Sequence, residues 1–168
     1  LSAADSICRQ QTTVFEANQV TPNAQYVWNF GSVASPLTAT GPGPHTVTYA
    51  TAGNRNVRLI VSNPNALDTA FHLVVVRPFP TSNFTQSANS QVVTFTNTST
   101  NATSYLWDFG DGMTSTLVNP IHTYDAPGSY VVKLDATNEC KTITKTLSLV
   151  LTSKVNDLTE QFGISILP

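Results

Sequence analysis

The stretch YLWDFGDG, residues 105–112, decides the fold of this chain, and YVWNFGSV at residues 26–33 nearly repeats it. In both stretches every second residue is aromatic until a glycine follows, which predicts a strand that buries one face and then turns. A Trp in the middle of such a strand, here Trp107, is typical of the core of a β-sandwich. Asp108 and Asp111 frame the turn, and they could bind a metal, form a catalytic pair or cap the turn.

The chain repeats itself beyond these two stretches. Trp28 and Trp107 lie 79 positions apart, and YATAGNRNVRLIVSN from Tyr49 aligns without a gap with YDAPGSYVVKLDATN from Tyr124, 75 positions later. The first copy has its extra residues in a stretch rich in Gly and Pro, where loops tolerate insertions. The sequence therefore predicts two tandem copies of one unit.

Each copy is predicted to consist of β-strands. Val57, Leu59 and Val61 alternate with other residues at period two, as a half-buried strand requires, and turn signals recur at the short spacing of a sandwich. The predicted fold class is all-β, with two tandem Ig-like β-sandwich domains. The predicted boundaries are domains at residues 1–77 and 82–152, a Pro-containing linker at 78–81, and a C-terminal linker within 153–168.

Composition excludes several classes of protein. The chain has 168 residues, a net charge of -2 and 11% charged residues, so it offers no basic surface for nucleic acid or an anionic membrane. It contains no apolar run long enough to span a membrane. Its first residue is Leu1, and we therefore expect it to be a piece of a longer or processed protein.

The second copy closely resembles the PKD repeat, named after the polycystic kidney disease protein. The resemblance rests on W-D-F-G-D-G, then P-x-H-x-Y, then G-x-Y-x-V-x-L and a final Asn, all present between Trp107 and Asn138. The first copy is a degenerate version, with Asn29 and Ser32 in place of the two acids and Arg55 in place of Tyr130.

The resemblance implies an Ig-like sandwich in a secreted or surface protein of bacteria, where such modules act as spacers or contact surfaces. The structural residues that it and the repeat indicate are Trp28, Trp107, Tyr49, Tyr124, Gly53 and Gly128. Because Gly stands between the corner Tyr and the next strand in both copies, Gly53 and Gly128 are predicted to have positive φ.

The tail DLTEQFGISILP, residues 157–168, resembles a linker followed by the start of a type IX secretion sorting domain. That resemblance implies a Bacteroidetes-type source and export by a type IX system. The alternative is an apolar tail without such a role.

The acids of the turn are interpreted as turn caps. Asp108, Asp111 and Asp125 are calcium candidates, but calcium prefers six to eight oxygen ligands and the first copy keeps the pattern without the first two acids. As a glycosidase pair, Asp108 and Asp111 stand too close together on one tight turn. The three His residues are isolated and no nucleophile motif is present, so we expect no catalytic residues, no metal and no cofactor.

Two short Asp-Ser/Thr-apolar motifs make Ser6 and Thr69 candidates for O-glycosylation of the kind that Bacteroidetes use. Cys8 and Cys140 form no metal knuckle and no disulfide framework. In a linear tandem they would lie beyond the ~7 Å reach of a disulfide, which favours unpaired thiols or a bridge to a neighbour outside the sequence.

The sequence thus predicts a non-enzymatic stalk, spacer or adhesion and assembly module, exposed outside the cell or on the outer cell surface. Its expected partners are other domains of the same long protein or components of the surface and the secretion system. The alternative is a carbohydrate-binding accessory module of a secreted hydrolase, with polysaccharide as the partner. That function needs exposed aromatic residues, for which Phe71, Phe79 and Phe84 are the candidates, whereas buried Trp residues favour the stalk.

Overall fold

The structure is a computed structural model that describes residues 3–152. Over these residues the chain forms β-strands and no helix, so the described part has no apolar helix that could cross a membrane. The chain divides into two compact units, unit 1 from Leu1 to Phe79 and unit 2 from Pro80 to Pro168.

The described residues of unit 1, from residue 3 onward, form eight strands in two sheets. The strands are β1 (Ser6–Cys8), β2 (Thr12–Phe15), β3 (Gln25–Asn29), β4 (Ala34–Ser35), β5 (Thr38–Thr40), β6 (His45–Tyr49), β7 (Gly53–Asn63) and β8 (Ala66–Arg77). The larger sheet has the order β1-β8-β7-β3-β5, and the smaller has the order β2-β6-β4. All pairs in both sheets are antiparallel except β1 with β8, which is parallel.

The part of unit 2 that the structure describes, up to residue 152, forms seven strands, again in two sheets. They are β9 (Phe84–Asn89), β10 (Val92–Asn97), β11 (Ser104–Asp108), β12 (Thr114–Ser115), β13 (Ile121–Thr123), β14 (Gly128–Thr137) and β15 (Thr142–Leu151). The sheets have the orders β13-β10-β9 and β12-β11-β14-β15. The first strand of unit 2, β9, pairs antiparallel with β10, whereas the first strand of unit 1, β1, pairs parallel with β8.

The two cores form because alternate residues of each strand point inward. Trp28 and Phe30 of unit 1, and Trp107 and Phe109 of unit 2, lie in separate buried clusters. Burial alternates along β7 and β14, as the period-two pattern of the sequence predicts. Each unit is therefore an Ig-like β-sandwich, and the predicted fold class is confirmed.

The expectation of unpaired thiols is wrong. The described residues contain no free cysteine, and both Cys8 and Cys140 are disulfide-bonded.

Candidate functional site: the WDFGDG turn and the tyrosine corner

Both tryptophans of the chain are core residues. Trp28 and Trp107 have no exposed surface. Each indole N–H donates to a backbone carbonyl of its own unit, Trp28 to Gly41 at 2.8 Å and Trp107 to Leu117 at 2.9 Å. A ring that is fully enclosed and whose one donor is occupied offers nothing to an outside ligand.

The WDFGDG turn (residues 107–112) is held by its two carboxylates. Asp108 accepts a hydrogen bond at Oδ1 from the N–H of Gly110 (2.9 Å), and Asp111 accepts one from the N–H of Met113 (3.0 Å). These bonds span two residues each, as in Asx turns. Gly110 has φ +82°, and a Cβ there would lie 2.7 Å from the Val131 carbonyl oxygen, so both conformation and space require glycine.

The second oxygen of each carboxylate also has a partner. Asp108 Oδ2 lies 3.5 Å from the Lys133 ammonium group. Asp111 Oδ2 lies 2.6 Å from Nε2 of His122. Burial tends to raise the pKa of Asp111, but hydrogen bonds from His122 and Met113 and the charge of His122 outweigh it and lower the pKa overall.

His122 is positioned by aromatic rings on two sides. Its ring is stacked on Phe109, with 4.1 Å between centroids and 4° between planes, and it meets Tyr124 edge-on at 4.6 Å. The side chain therefore connects the turn to the corner tyrosine and holds Asp111 in place. The three His residues are isolated in the sequence, and that isolation gave no sign that His122 pairs with Asp111.

The calcium candidates are not gathered into a metal site in the described part of the chain. No group of three or more His, Cys, Asp or Glu side chains among residues 3–152 could hold a metal ion. The oxygens of Asp108 and Asp111 are engaged as above, and Asp125 belongs to no such group. Whether calcium binds stays a prediction, and the observed bonds favour turn capping.

The corner tyrosines of the two units make equivalent bonds. Tyr124 donates its hydroxyl to the carbonyl of Phe109, and Tyr49 donates to the carbonyl of Phe30, both at 3.1 Å. Burial raises the pKa of Tyr49 to about 12, although the charge of Arg55 opposes this shift. Burial likewise raises the pKa of Tyr124, and the charges of Asp111 and Asp108 raise it further.

Arg55 makes in unit 1 the hydrogen bond that Tyr130 makes in unit 2. Tyr130 donates its hydroxyl to the carbonyl of Ala126 (2.8 Å), and Arg55 donates from Nη2 to the carbonyl of Thr51, 75 positions earlier, at the same distance. Arg55 also binds the carbonyl of Ala52 at 2.8 Å. An exchange that looks like degeneration in the sequence preserves the closure of the turn.

This difference also explains an incorrect prediction about the two turn glycines. Gly53 has φ +130°, as predicted, but Gly128 does not lie in the left-handed region, so the prediction for Gly128 is wrong. The carbonyl of Ala52 accepts from the guanidinium of Arg55. This carbonyl belongs to the peptide plane between Ala52 and Gly53, and the orientation of that plane sets φ of Gly53. Tyr130 has one hydroxyl proton and binds only the earlier carbonyl.

The turn of unit 1 keeps the cap that Asp108 provides in unit 2. It has no counterpart of the Asp111–His122 pair, and one of the two matching residues is apolar and buried. Asn29 Oδ1 accepts from the N–H of Gly31 at 2.9 Å, as Asp108 does in unit 2. At the positions of Asp111 and His122 unit 1 has Ser32 and the fully buried Val47. The Asp–His pair is therefore exchanged as a pair, a correlation that the aligned copies could have shown.

The glycosylation candidates occupy different environments. Ser6 is half-buried in β1, where it lies opposite Val75. Thr69 is exposed on β8, and its N–H donates to Asp68 Oδ1 at 2.7 Å. Accessibility thus favours Thr69 over Ser6 as a site for a transferred sugar.

The aromatic candidates for carbohydrate binding do not form a strip in the described structure. Phe71 is 69% exposed, but Phe84 is buried against Trp107, and Phe79 lies beneath the guanidinium of Arg9 at 4.5 Å. Among these three candidates only Phe71 offers a largely exposed ring, so they provide no aromatic platform for a sugar.

Sequence reasoning missed one cavity. An open cleft of ≈ 720 Å³ in unit 1 lies between the segment Ala17–Ala24 and the strands β3, β7 and β8. Its ionisable side chains are Asp68 and Tyr26, and the Tyr26 hydroxyl accepts from the N–H of Thr21 at 2.7 Å. Such a lining provides no second carboxylate or base beside Asp68 for acid–base catalysis.

The fold and this turn define a class of protein: an Ig-like β-sandwich with a buried Trp and a tyrosine corner. A family profile described as "PKD domain" matches residues 75–152, and the chain therefore contains a PKD domain. This domain is a non-catalytic module.

The chain is also similar to parts of several bacterial enzymes. It is 51% identical over 61 residues to collagenase ColQ1 of Bacillus cereus (strain Q1), covering 34% of this chain and 6% of the relative. It is 47% identical over 51 residues to the microbial collagenase of Vibrio alginolyticus, covering 30% and 6%. The chain thus spans only a small part of the curated relatives that it matches.

Two solved structures are similar as well. The PKD1 domain of Vibrio anguillarum Epp is 30% identical, with a TM-score of 0.43, and covers 45% of this chain and 95% of its own. The PKD1 domain of the Vibrio cholerae metalloprotease PrtV is 32% identical, with a TM-score of 0.42, and covers 45% and 99%.

Proposed function

We propose that the chain is a non-catalytic stalk and assembly module of a longer bacterial protein, acting through protein–protein contacts. The observation that carries the proposal is the use of the motif residues: both Trp rings are enclosed, and both acids of the WDFGDG turn cap backbone groups. Residues that are occupied in this way stabilise a rigid module and leave no reactive group for substrate.

We propose further that unit 1 is a degenerate PKD domain, so that the module is a tandem pair with the boundaries given above. The matching bonds of Tyr49 and Tyr124, and of Arg55 and Tyr130, support this. Pro78 and Pro80 restrict the backbone between the units, as a spacer requires.

An extracellular or surface location is part of the same proposal. Disulfide-bonded cysteines persist in oxidising compartments, and the similar proteins include bacterial collagenases. Export by a type IX system of a Bacteroidetes-type bacterium rests on the tail at 157–168, which lies outside the described residues. O-glycosylation is proposed at Thr69 and, less accessibly, at Ser6, and mass spectrometry of the native protein tests it.

A second candidate function is binding to collagen, because the relatives include collagenases. One experiment separates it, and the carbohydrate alternative, from the stalk. The full chain is sedimented with insoluble collagen, cellulose and chitin, and the supernatant is assayed. A stalk stays in the supernatant in every case; retention on collagen, or on a polysaccharide, would replace the stalk by the corresponding binding module.

A further inference from the structure

Strand β8 has a free edge in the described structure. Its neighbour β1 pairs with only three of its residues, Val75 to Arg77, and no other described strand lies on that side. Residues 66–74 of β8 therefore pair with no described strand on their outer edge. Unpaired backbone donors and acceptors on a strand edge are a template for another strand.

The backbone groups that point outward can be identified. Val75 donates its N–H to Asp5 on the β1 side (2.9 Å), and the carbonyl of Arg77 accepts from Arg9 (3.0 Å). Because these directions alternate along a strand, the odd-numbered residues present their N–H and C=O groups at the free edge. They are Leu67, Thr69, Phe71 and Leu73, of which Thr69 donates its N–H to Oδ1 of the neighbouring Asp68 (2.7 Å) in the single chain.

The same stretch has an apolar outer face. Leu67 is 72%, Phe71 69% and Leu73 48% exposed. The corresponding residues of unit 2, taken from the strand registers, are Thr142, Thr146 and Ser148. The sandwich therefore does not need apolar residues here, and an exposed apolar patch of this kind marks an interaction surface.

Two residues that commonly protect strand edges are missing from this stretch of unit 1. Residues 66–74 contain no Pro and no Lys. In unit 2, Lys145 stands at the register position of Ala70, and a lysine on an edge strand opposes pairing with another strand.

The sequence of the free stretch is complementary to itself. Residues 67–73 read LDTAFHL, and an antiparallel copy centred on Ala70 places Leu67 opposite Leu73, Asp68 opposite His72 and Thr69 opposite Phe71. Odd residues then face odd residues, so the outward N–H and C=O groups of the two strands meet. A register centred on residue 69 or 71 instead would no longer place Asp68 opposite His72.

We propose that a second copy of this chain docks on β8 by this antiparallel pairing, with a two-fold axis at Ala70. The large sheet of unit 1 would then continue across both copies. His72 has a buried Nε2 that lies 3.5 Å from an oxygen of the exposed Asp5 yet makes no hydrogen bond, and Asp68 of the second copy lies opposite it in this register. The pairing does not rest on the stalk function, which a monomeric chain would retain.

Sedimentation velocity of the full chain over a range of concentrations tests the pairing. We expect a dimer at high concentration that dissociates on dilution. Asp68→His and His72→Asp each place like groups opposite one another and should weaken the dimer by roughly tenfold or more. An equimolar mixture of the two variants should recover it, because acid again faces histidine in every pair. Ile143→His, at the matching position of unit 2, should leave the dimer intact.

A chain that is monomeric at all concentrations would overturn the proposal, and so would a dimer that these variants do not affect. Since His72 packs near Phe15, each variant is first checked by thermal unfolding. If His72→Asp does not fold, Phe71→Pro carries the test with Asp68→His, because it removes an N–H that points to the free edge and should abolish the dimer.

The register is tested by oxidation. Ala70→Cys should give a covalent dimer under mild oxidant, since the two introduced thiols lie opposite one another in the proposed register, within reach of a disulfide. Thr69→Cys, which lies opposite Phe71, should react much more slowly; equal crosslinking of both variants would overturn the two-fold axis at Ala70.

Discussion

At the scale of single residues, we expect the buried Trp of unit 2 to contribute strongly to stability. Trp107→Ala removes a ring that has no exposed surface and leaves the Leu117 carbonyl without its donor. We expect a loss of about 3–5 kcal/mol in the free energy of unfolding. Calorimetry of the full chain measures it, with Leu117→Ala as the control because that side chain is exposed. A near-neutral effect of Trp107→Ala would contradict the core assignment.

The Asp111–His122 pair should make unit 2 sensitive to acid. The pKa of Asp111 in the fold is below its ordinary value of 3.8, so this carboxylate stabilises the fold above that value. The contribution is lost as the pH falls from that value through the lowered pKa. Asp111→Asn should therefore reduce the dependence of the melting temperature on pH in that range, and the exposed Asp125→Asn serves as control. Equal acid profiles for Asp111→Asn and the parent chain would disprove the linkage.

Tyr49 gives the opposite pH dependence. Its pKa is raised from 10.0 to about 12, because burial disfavours the charged phenolate. The stabilisation is complete below pH 10 and is lost as the pH rises towards 12. Tyr49→Phe should be less stable at neutral pH, since the bond to Phe30 is lost, yet should lose less stability between these pH values. Thermal unfolding at a series of alkaline pH values measures both effects.

At the scale of elements, the turns before β7 and β14 test whether Arg55 and Tyr130 are interchangeable. Arg55→Ala removes the donor to the carbonyls of Thr51 and Ala52, and we expect a loss of about 1–3 kcal/mol. Arg55→Tyr should recover a good part of it, because Tyr130 closes the matching turn with one hydroxyl. Urea unfolding measures both variants, and an Arg55→Tyr variant as unstable as Arg55→Ala would contradict the equivalence.

The elements also show what the sequence could and could not predict. Strands β7 and β14 and the buried Trp residues followed from alternation at period two, because burial of one face dictates that pattern. The φ of Gly128 and the disulfide bonding of both cysteines could not be predicted from the sequence pattern, since each depends on which groups meet in space. The pairing of His122 with Asp111 was accessible in principle, because unit 1 exchanges both residues together for Val47 and Ser32.

At the scale of the whole molecule, the distribution of acids leads to a prediction about calcium. Unit 2 has Asp108, Asp111 and Asp125 around its turn and corner, whereas unit 1 has Asn29 and other uncharged residues at the matching positions. Calcium affinity depends on the number of anionic oxygens, so any binding should be confined to unit 2. Yet the oxygens of Asp108 and Asp111 already accept hydrogen bonds from backbone and side-chain donors. A cation would have to displace these donors.

We therefore expect the melting profile of the full chain to be the same in millimolar calcium and in chelator. A cation that binds only the folded state must raise the melting temperature, which makes calorimetry a direct test. A rise that disappears in the double variant Asp108→Asn, Asp111→Asn would overturn turn capping as the role of these acids. A rise that persists in that variant would place the cation elsewhere in the molecule, because amides retain the turn-capping oxygens but not the negative charge that calcium prefers.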